Sequence, residues 1–594
     1  MAKLNDFSIS DFSGGIVRNK DDKDMERNEM KNTLNLDVDE QGKIKRRRGY
    51  QRFATTASNS IFNGIFTQIE SLGSAPTRVT IIANNDDPID AYNLVGDDYL
   101  TTALADGDTT AVVGSNSGFA ASGTIEVGGD LIEYASLTGG ATFNITETDI
   151  LSGALYPVGT PVRQWSSVRT TNVNGVVGIY FAVLNNIIFV NGRTGSSTTS
   201  DGVTYTAITD ADAAAGIFAT NYRDRIYLAG SGATDGAGSR NGSSDRISFS
   251  DAGDSTSWDI NNFFDVEDQR GEPIQALKVS KDKLWIFKTN STFYYDEVNL
   301  KQTLFDIGSY AHRCVQEIDG LIYTFCPSGV FVTNGFEAKR ISDPIKEYVK
   351  DFRPAITGTT RPVITNTFSG VYDKKYILYI GDILSPSTLN DVVLVYDTIK
   401  KNWTVYDSII DFQCFLNWPT YTSAGRIQQK EAFFGGDNAG IFYQLFHNQT
   451  IDTAVTPVVT GGDIIANNIS NSTGTSLSTI TETPFYDLGF PGWWKKFGYL
   501  RAIVEQGEFN IQYRLDKGSY LTDWISLGDY KGTNIRKKIS NEGSQILEDE
   551  GYRIALRITS NSRSTITILN ELIIEDSETL TKQQRHGTEF RRTI

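Results

Sequence analysis

The sequence predicts an all-β protein: a β-propeller of about six or seven blades, a small inserted β domain and a C-terminal β-sandwich. Three observations carry this. The 594 residues exceed the size of one ordinary core, and 11% aromatic residues with 54 Gly and only 14 Pro favour strands over helices. Short paired strands recur along most of the chain. The texture also changes abruptly twice, near residue 98 and near residue 481.

The recurrence is clearest from Arg313 to Asp343, RCVQEIDGLIYTFCPSGVFVTNGFEAKRISD. It predicts strands over Cys314–Ile318, Leu321–Cys326 and Gly329–Thr333, separated by Asp319-Gly320, Ser328-Gly329 and Asn334-Gly335, dipeptides that supply the positive φ of tight turns. Such a meander cannot bury both faces of Ile322, Tyr323, Phe325, Val330 and Phe331 alone, so it must stack on similar units. The same grammar is found in Gly178–Asn191, Arg223–Leu228 with Asp245–Ser250, Ile274–Tyr295, Tyr372–Tyr406 and Glu431–Phe446. The spacing, roughly 45–60 residues, lies in the range of radial repeats.

In chain order, residues 1–55 predict a short helix near Asp24–Asn32 and a strand–turn–strand, Asn35–Asp39 and Lys43–Arg47, in an arm rather than a core. Asp11-Phe12-Ser13-Gly14-Gly15, the polar stretch around Asn28–Met30, Asn35-Leu36-Asp37-Val38-Asp39 and Arg47-Arg48-Gly49-Tyr50 resemble the N-terminal pattern of tail nozzle and packaged-DNA stabilisation proteins of short-tailed bacteriophages. Residues 56–97 and 166–450 are then the propeller, and the resemblance agrees, since such virion proteins are propellers. Residues 98–165 lose almost all basic side chains; Gly123–Val127, Asp130–Tyr134 and Gly159–Val162 resemble a small β module inserted in many phage virion proteins. Residues 451–480 read as a linker or crossing loop. Residues 481–576 alternate at 8–12-residue intervals, as in a β-sandwich, with Ile554, Leu556 and Ile558 on one face and Arg553, Ala555 and Arg557 on the other. Asp487-Leu488-Gly489, Lys495-Lys496-Phe497, Asp516 to Trp524 and Tyr552–Arg557 resemble the C-terminal, jelly-roll-like part of the same virion proteins. Residues 577–594 read as a tail.

Few residues suggest chemistry. Net charge −17 disfavours general nucleic-acid affinity, which needs Lys and Arg to displace counterions. Cys314, Cys326 and Cys414 are too scattered for a disulfide framework or zinc site and read as buried thiols, and His312, His447 and His586 offer little for a triad or metal cluster. No phosphate-binding loop, HExxH or GxSxG occurs. Asp251, Asp254 and their neighbours up to Trp258 have oxygens for a cation but read as a turn; Trp285, Trp403, Trp493, Trp494 and Trp524 could stack on sugars but read as anchors. Neither an apolar run of about 18 residues nor a secretory apolar core follows Met1, so no membrane insertion is expected.

The expectation is therefore a non-enzymatic protein without cofactor or metal. The resemblance implies a phage tail component assembled in the bacterial cytoplasm, a nozzle-like ring, six copies expected, that extends the portal-adaptor channel and contacts the adaptor and tail fibres or spikes. Such a ring retains packaged double-stranded DNA and conducts it during ejection. Phe12, Gly14, Gly15 and Lys45, Arg46, Arg47, Arg48 would form a docking arm against an acidic neighbour. Acidic loops, with Asp86, Asp87, Asp97, Asp98, Asp106 and Asp108 as candidates, would line a bore that repels DNA over about a Debye length. The alternative is a carbohydrate-binding or depolymerising tail protein acting through paired carboxylates.

Overall fold

In the computed structural model the chain is all-β, with many four-stranded antiparallel sheets and almost no helix. It describes residues 2–580 apart from 48, 56–61, 85–88, 146–154, 171–179, 231–243, 419–431, 447–450, 453–474, 541–548, 561–567 and shorter interruptions.

The Arg313–Asp343 meander forms as its turns dictate. Leu321–Cys326 and Gly329–Thr333 have the expected bounds, the first strand shortens to Gln316–Ile318, and a fourth, Ala338–Arg340, completes the sheet. Six further units are built alike. In chain order, unit 1 is Phe62–Leu72, Ala75–Asn84, Ile89–Tyr99 and Pro161–Thr170; unit 2 runs from Tyr180–Leu184 to Thr206–Ala207; unit 3 from Phe218–Tyr222 to Trp258–Asp265. Unit 4 runs from Ile274–Ser280 to Leu300–Phe305, unit 5 is the meander above, and unit 6 runs from Phe368–Tyr372 to Asn402–Tyr406. Unit 7 takes Phe412–Trp418, Ala432–Asp437 and Ile441–Leu445 and borrows its fourth strand, Gln51–Thr55, from the other end of the chain.

First strands meet first strands between units 2 and 3, 3 and 4, 5 and 6, 6 and 7, and 7 and 1. Phe66 stacks on Phe181 at 5.2 Å between units 1 and 2, and Ala276, Trp285, Val315 and Ile322 share a cluster between units 4 and 5. Clusters of buried apolar residues lie between units 2 and 3, 3 and 4, 4 and 5, 5 and 6, and 6 and 7, so units 3 to 6 bury both faces against neighbours, as the isolated meander could not.

Residues 98–165 return to unit 1 between its third and fourth strands. They have their own core, including Leu100, Ile125, Val127, Ile132, Phe143 and Val162, and continue the sheet through Gly123–Val127 against Pro161–Thr170. Replacing 101–159 with a short Gly/Ser linker is expected to leave the remainder folded, since loop closure costs little at such a site. Loss of the protease-resistant remainder would contradict this.

The two ends of the chain correct the expectation. One sheet orders Asn32–Leu34, Thr479–Glu482, Arg553–Ser560, Glu508–Asp516 and Ile525–Lys531; the other orders Ile535–Lys538, Tyr499–Gln506, Ile568–Glu575, Ile44–Arg46 and Leu36–Val38, with Phe7–Ile9 also on Ile568–Glu575. One core joins them, in which Leu4, Phe7, Ile9, Phe12, Leu36 and Ile44 pack with Phe497, Leu556, Ile558 and Ile574. Residues 2–46 therefore supply four of the eleven strands of a two-sheet body and are not a free arm. The helix expected near Asp24–Asn32 is instead a single 3-10 turn at Asp22–Asp24 followed by Glu29–Met30, because this stretch is extended against Gly15–Ile16. Ile554, Leu556 and Ile558 face the core as the alternation requires. Glu578–Thr579 pairs with Ala2–Lys3 and Lys495–Lys496, so part of the expected tail is strand; 581–594 and most of the 451–480 segment lie outside the described residues.

Candidate functional site

The proposed docking residues come together, but inside the protein. Phe12 is buried in the body core; a Cβ on Gly14 would stand 2.8 Å from the Asn28 carbonyl oxygen, and one on Gly15, at φ +66°, 2.7 Å from that of Trp403. Lys45 is half-buried in a strand, Arg46 and Arg47 are both 1% exposed, and Arg48 lies outside the described residues. The described partners of Arg47 belong to the same chain and are neutral acceptors. Its Nε donates to Asn35 Oδ1 at 2.9 Å and its Nη2 to the Asp407 carbonyl at 3.0 Å, with the guanidinium 4.3 Å from the Tyr50 ring centre.

Around it the N-terminal segment grips unit 6. Asn35 donates through its backbone to Val405 and through Nδ2 to Asp407; the Tyr406 hydroxyl donates to Asp37; Lys400 donates to the Val38 carbonyl at 2.6 Å; and Asn402 donates to that of Ser13 at 2.7 Å. These polar contacts lie within the fold and fix the body to unit 6.

The acidic candidates are dispersed. Asp86 and Asp87 lie outside the described residues. Asp97 sits in the third strand of unit 1, opposite Arg163. Asp98 is 7% exposed and accepts from the amides of Tyr99 and Ser115, while Asp108 accepts from that of Ala105; Asp106 is exposed on the same module. Asp98 and Asp108 are thus spent on local amides, and none of the four described stands on the first strands that meet around the ring of units. The Asp251–Trp258 stretch closes a turn: Asp254 accepts from the amide and hydroxyl of Thr256, and Asp251 from Ser257 and Asn262. Asp254 is held below the usual carboxylate range by the Thr256 hydroxyl and amide bonds.

One feature went unread in the sequence. The first two strands of units 2 to 6 are joined by two-residue turns with both residues at positive φ: Asn185-Asn186, Arg223-Asp224, Lys281-Asp282, Asp319-Gly320 and Asp373-Lys374. Only Asp319-Gly320 has the expected turn chemistry; aligning the hydrophobic residues on either side would have exposed the others. The tips are wired unit to unit. Asn185 Nδ2 donates to the Gly253 carbonyl at 2.9 Å, Arg223 bonds Asp282 at 2.8 Å and Glu297 at 2.6 Å, and Lys374 meets Asp319 at 3.0 Å. A cleft of about 440 Å³ between units 3 and 4 is lined by Arg223, Lys281, Asp282, Lys283, Asp296 and Asn299. Arg223 pairs with Asp282, and Lys283 with Asp296 at 3.7 Å, across it.

Where the first strands converge, His312 lies between Phe218, stacked at 5.2 Å, and Tyr180, and its Nδ1 accepts from the Leu277 amide. Burial, and then the charges of Lys278 and Arg313, bring its pKa down to about 3. The fold holds it neutral, so stability present above the unfolded value of about 6.5 is lost as pH falls from there towards 3, by on the order of a few kcal/mol at most. His312→Gln is expected to flatten that acid dependence of the melting temperature; an unchanged slope would contradict it. The thiols do not poise for chemistry: burial pushes Cys314 up to about 12 and Cys414 to about 11, and Cys314 and Cys326 take separate partners, Thr367 and the Gly329 carbonyl. Among the described residues no group of three or more His, Cys, Asp or Glu could hold a metal ion, and no helix is long and apolar enough to cross a membrane. Trp285 and Trp403 are buried, Trp524 lies under Arg557, and Trp493 is exposed.

No family model matches the chain, and no curated protein matches it. Solved structures with some similarity include BamB from Moraxella catarrhalis, at 10% identity and TM-score 0.30, covering 67% of this chain and 99% of that one. The phage phi92 endosialidase is 13% identical with TM-score 0.25, covering 71% and 90%; an exo-beta-1,3-galactanase from Phanerochaete chrysosporium is 9% identical with TM-score 0.20, covering 67% and 95%. Likeness at this level carries no argument about what the chain does.

Proposed function

We propose that the chain is a wall component of a short-tailed phage tail, forming a nozzle-like ring of six copies that extends the portal-adaptor channel, retains packaged DNA and conducts it during ejection. Within each copy the seven units form a closed seven-bladed propeller, and the two-sheet body is a β-sandwich. The observation that carries the reading is mechanical. Strands from residues 2–46 and 479–579 share one body, that body is locked to unit 6 by buried polar bonds, and the fourth strand of unit 7 comes from residues 51–55, so the parts make one stiff block. A conduit wall under DNA pressure requires such stiffness more than it requires a reactive group. The carboxylates at Asp98, Asp108, Asp251 and Asp254 are held by local donors, which weighs against their serving as glycosidic acid and base.

The test is a phage in which this gene product is not made. Heads that package DNA but fail to hold it support a retaining wall. Full, stable heads that lose only adsorption would refute that role and favour the carbohydrate-binding alternative.

A further inference from the structure

The cleft between the turns of units 3 and 4 has no part in the ring reading. It is formed by Arg223 at the first turn of unit 3, by the Lys281-Asp282 turn of unit 4 with Lys283 beside it, and by residues 296–299, which join Ser291–Tyr295 to Leu300–Phe305. At about 440 Å³ it falls within the size range of small-molecule sites.

The arginine and the acids are committed to one another or to backbone amides. Arg223 donates through Nε and Nη2 to the two oxygens of Asp282, at 3.2 and 2.8 Å, and through Nη1 to Glu297 at 2.6 Å. Asp296 Oδ1 accepts from the amides of Asn299 at 2.7 Å and Val298 at 3.2 Å. The two lysines are left over. Lys283 Nζ stands 3.7 Å from Asp296 Oδ2, an ion pair too long for a hydrogen bond, and 4.4 Å from the Tyr294 ring centre. Lys281 makes neither a hydrogen bond nor an ion pair among the described residues, and its stem lies against the Gly320 turn of unit 5, where a Cβ would stand 2.9 Å from Cε. Two ammonium groups thus line the cleft with their N–H donors unmatched.

We propose that this cleft binds the phosphate group of a phosphorylated sugar between Lys281 and Lys283. Ammonium groups act on phosphate as point charges, whereas the planar fork that would select a carboxylate, Arg223, is already filled by Asp282. The volume holds more than the anion alone. Val298 is the one apolar residue of the lining, and Asp282 and Asp296 keep lone pairs that accept from hydroxyls, so the body attached to the phosphate is a polyhydroxylated one. All of these groups belong to one chain, and the site stands whether or not copies form a ring.

The test is isothermal titration calorimetry of the full-length chain at low salt with glucose 1-phosphate, inorganic phosphate and glucose. Glucose 1-phosphate is expected to bind, inorganic phosphate more weakly, and glucose not at all. Lys281→Gln and Lys283→Gln, each checked for folding by circular dichroism, should weaken the binding of glucose 1-phosphate by about tenfold, the loss of a charge-assisted bond. Lys374→Gln, at the unit 6 turn where Lys374 meets Asp319 outside the cleft, should leave it unchanged. No heat from either phosphate compound, or equal binding by wild type and all three variants, overturns the site. Inorganic phosphate binding as tightly as glucose 1-phosphate overturns the sugar and leaves a site for free phosphate.

Discussion

Arg47→Ala is expected to destabilise the protein by about 1–3 kcal/mol for each buried neutral acceptor that loses its donor. Arg47 is 1% exposed and joins Asn35 to the Asp407 carbonyl between the rings of Tyr50 and Tyr406. Without it, Asn35 Oδ1 loses its strongest donor in a place water does not reach. Lysine cannot substitute, because a point charge cannot serve two acceptors while lying flat between two rings. The loss should be localised: hydrogen exchange is expected to rise first in residues 32–47 and 402–407, with the core of unit 4 still protected. Reversing Lys45, Arg46, Arg47 and Arg48 together, which for a docking arm would abolish docking and leave the fold intact, is instead expected to prevent folding. Soluble variant with unchanged denaturant midpoint would contradict this.

Trp403→Ala is expected to cost about 3–5 kcal/mol, by lost burial and by the cavity left behind. Trp403 is 1% exposed, donates through Nε1 to the Ile341 carbonyl at 2.7 Å and packs on Tyr396 at 5.0 Å. It belongs to the cluster shared by units 5 and 6, and its own carbonyl abuts Gly15, so units 5 and 6 and the N-terminal segment meet there. Urea denaturation should show a lowered midpoint for the units and body alike, whereas Asp106→Asn on the exposed module should stay within about 0.5 kcal/mol. Equal effects of the two changes would contradict the packing described.

What the sequence disclosed follows from the reach of each signal. The strands of unit 5 were legible because Asp319-Gly320 and Ser328-Gly329 announce turns locally and because Ile322, Tyr323 and Phe325 demand burial. Alternation likewise placed Ile554, Leu556 and Ile558 correctly. The N-terminal strands were not legible. Phe7–Ile9, Leu36–Val38 and Ile44–Arg46 are three residues each, too short for a period to register, and Phe7 pairs with Ile574, a partner no local pattern can name. The Lys43–Arg48 run suggested a solvated surface for the same reason: its charge is visible in sequence, but Asn35, Tyr406 and Asp407, which make burial of Arg47 affordable, are assembled only by the fold. Turns such as Arg223-Asp224 and Asp373-Lys374 carry no glycine to announce them; the flanking hairpin strands hold both residues at positive φ.

The central claim, that this chain walls the DNA channel of a phage tail, is tested most directly by a reconstruction of the intact particle. The account predicts a closed ring of six copies coaxial with the portal. Copies projecting outward as separate fibres, away from the channel axis, would contradict it.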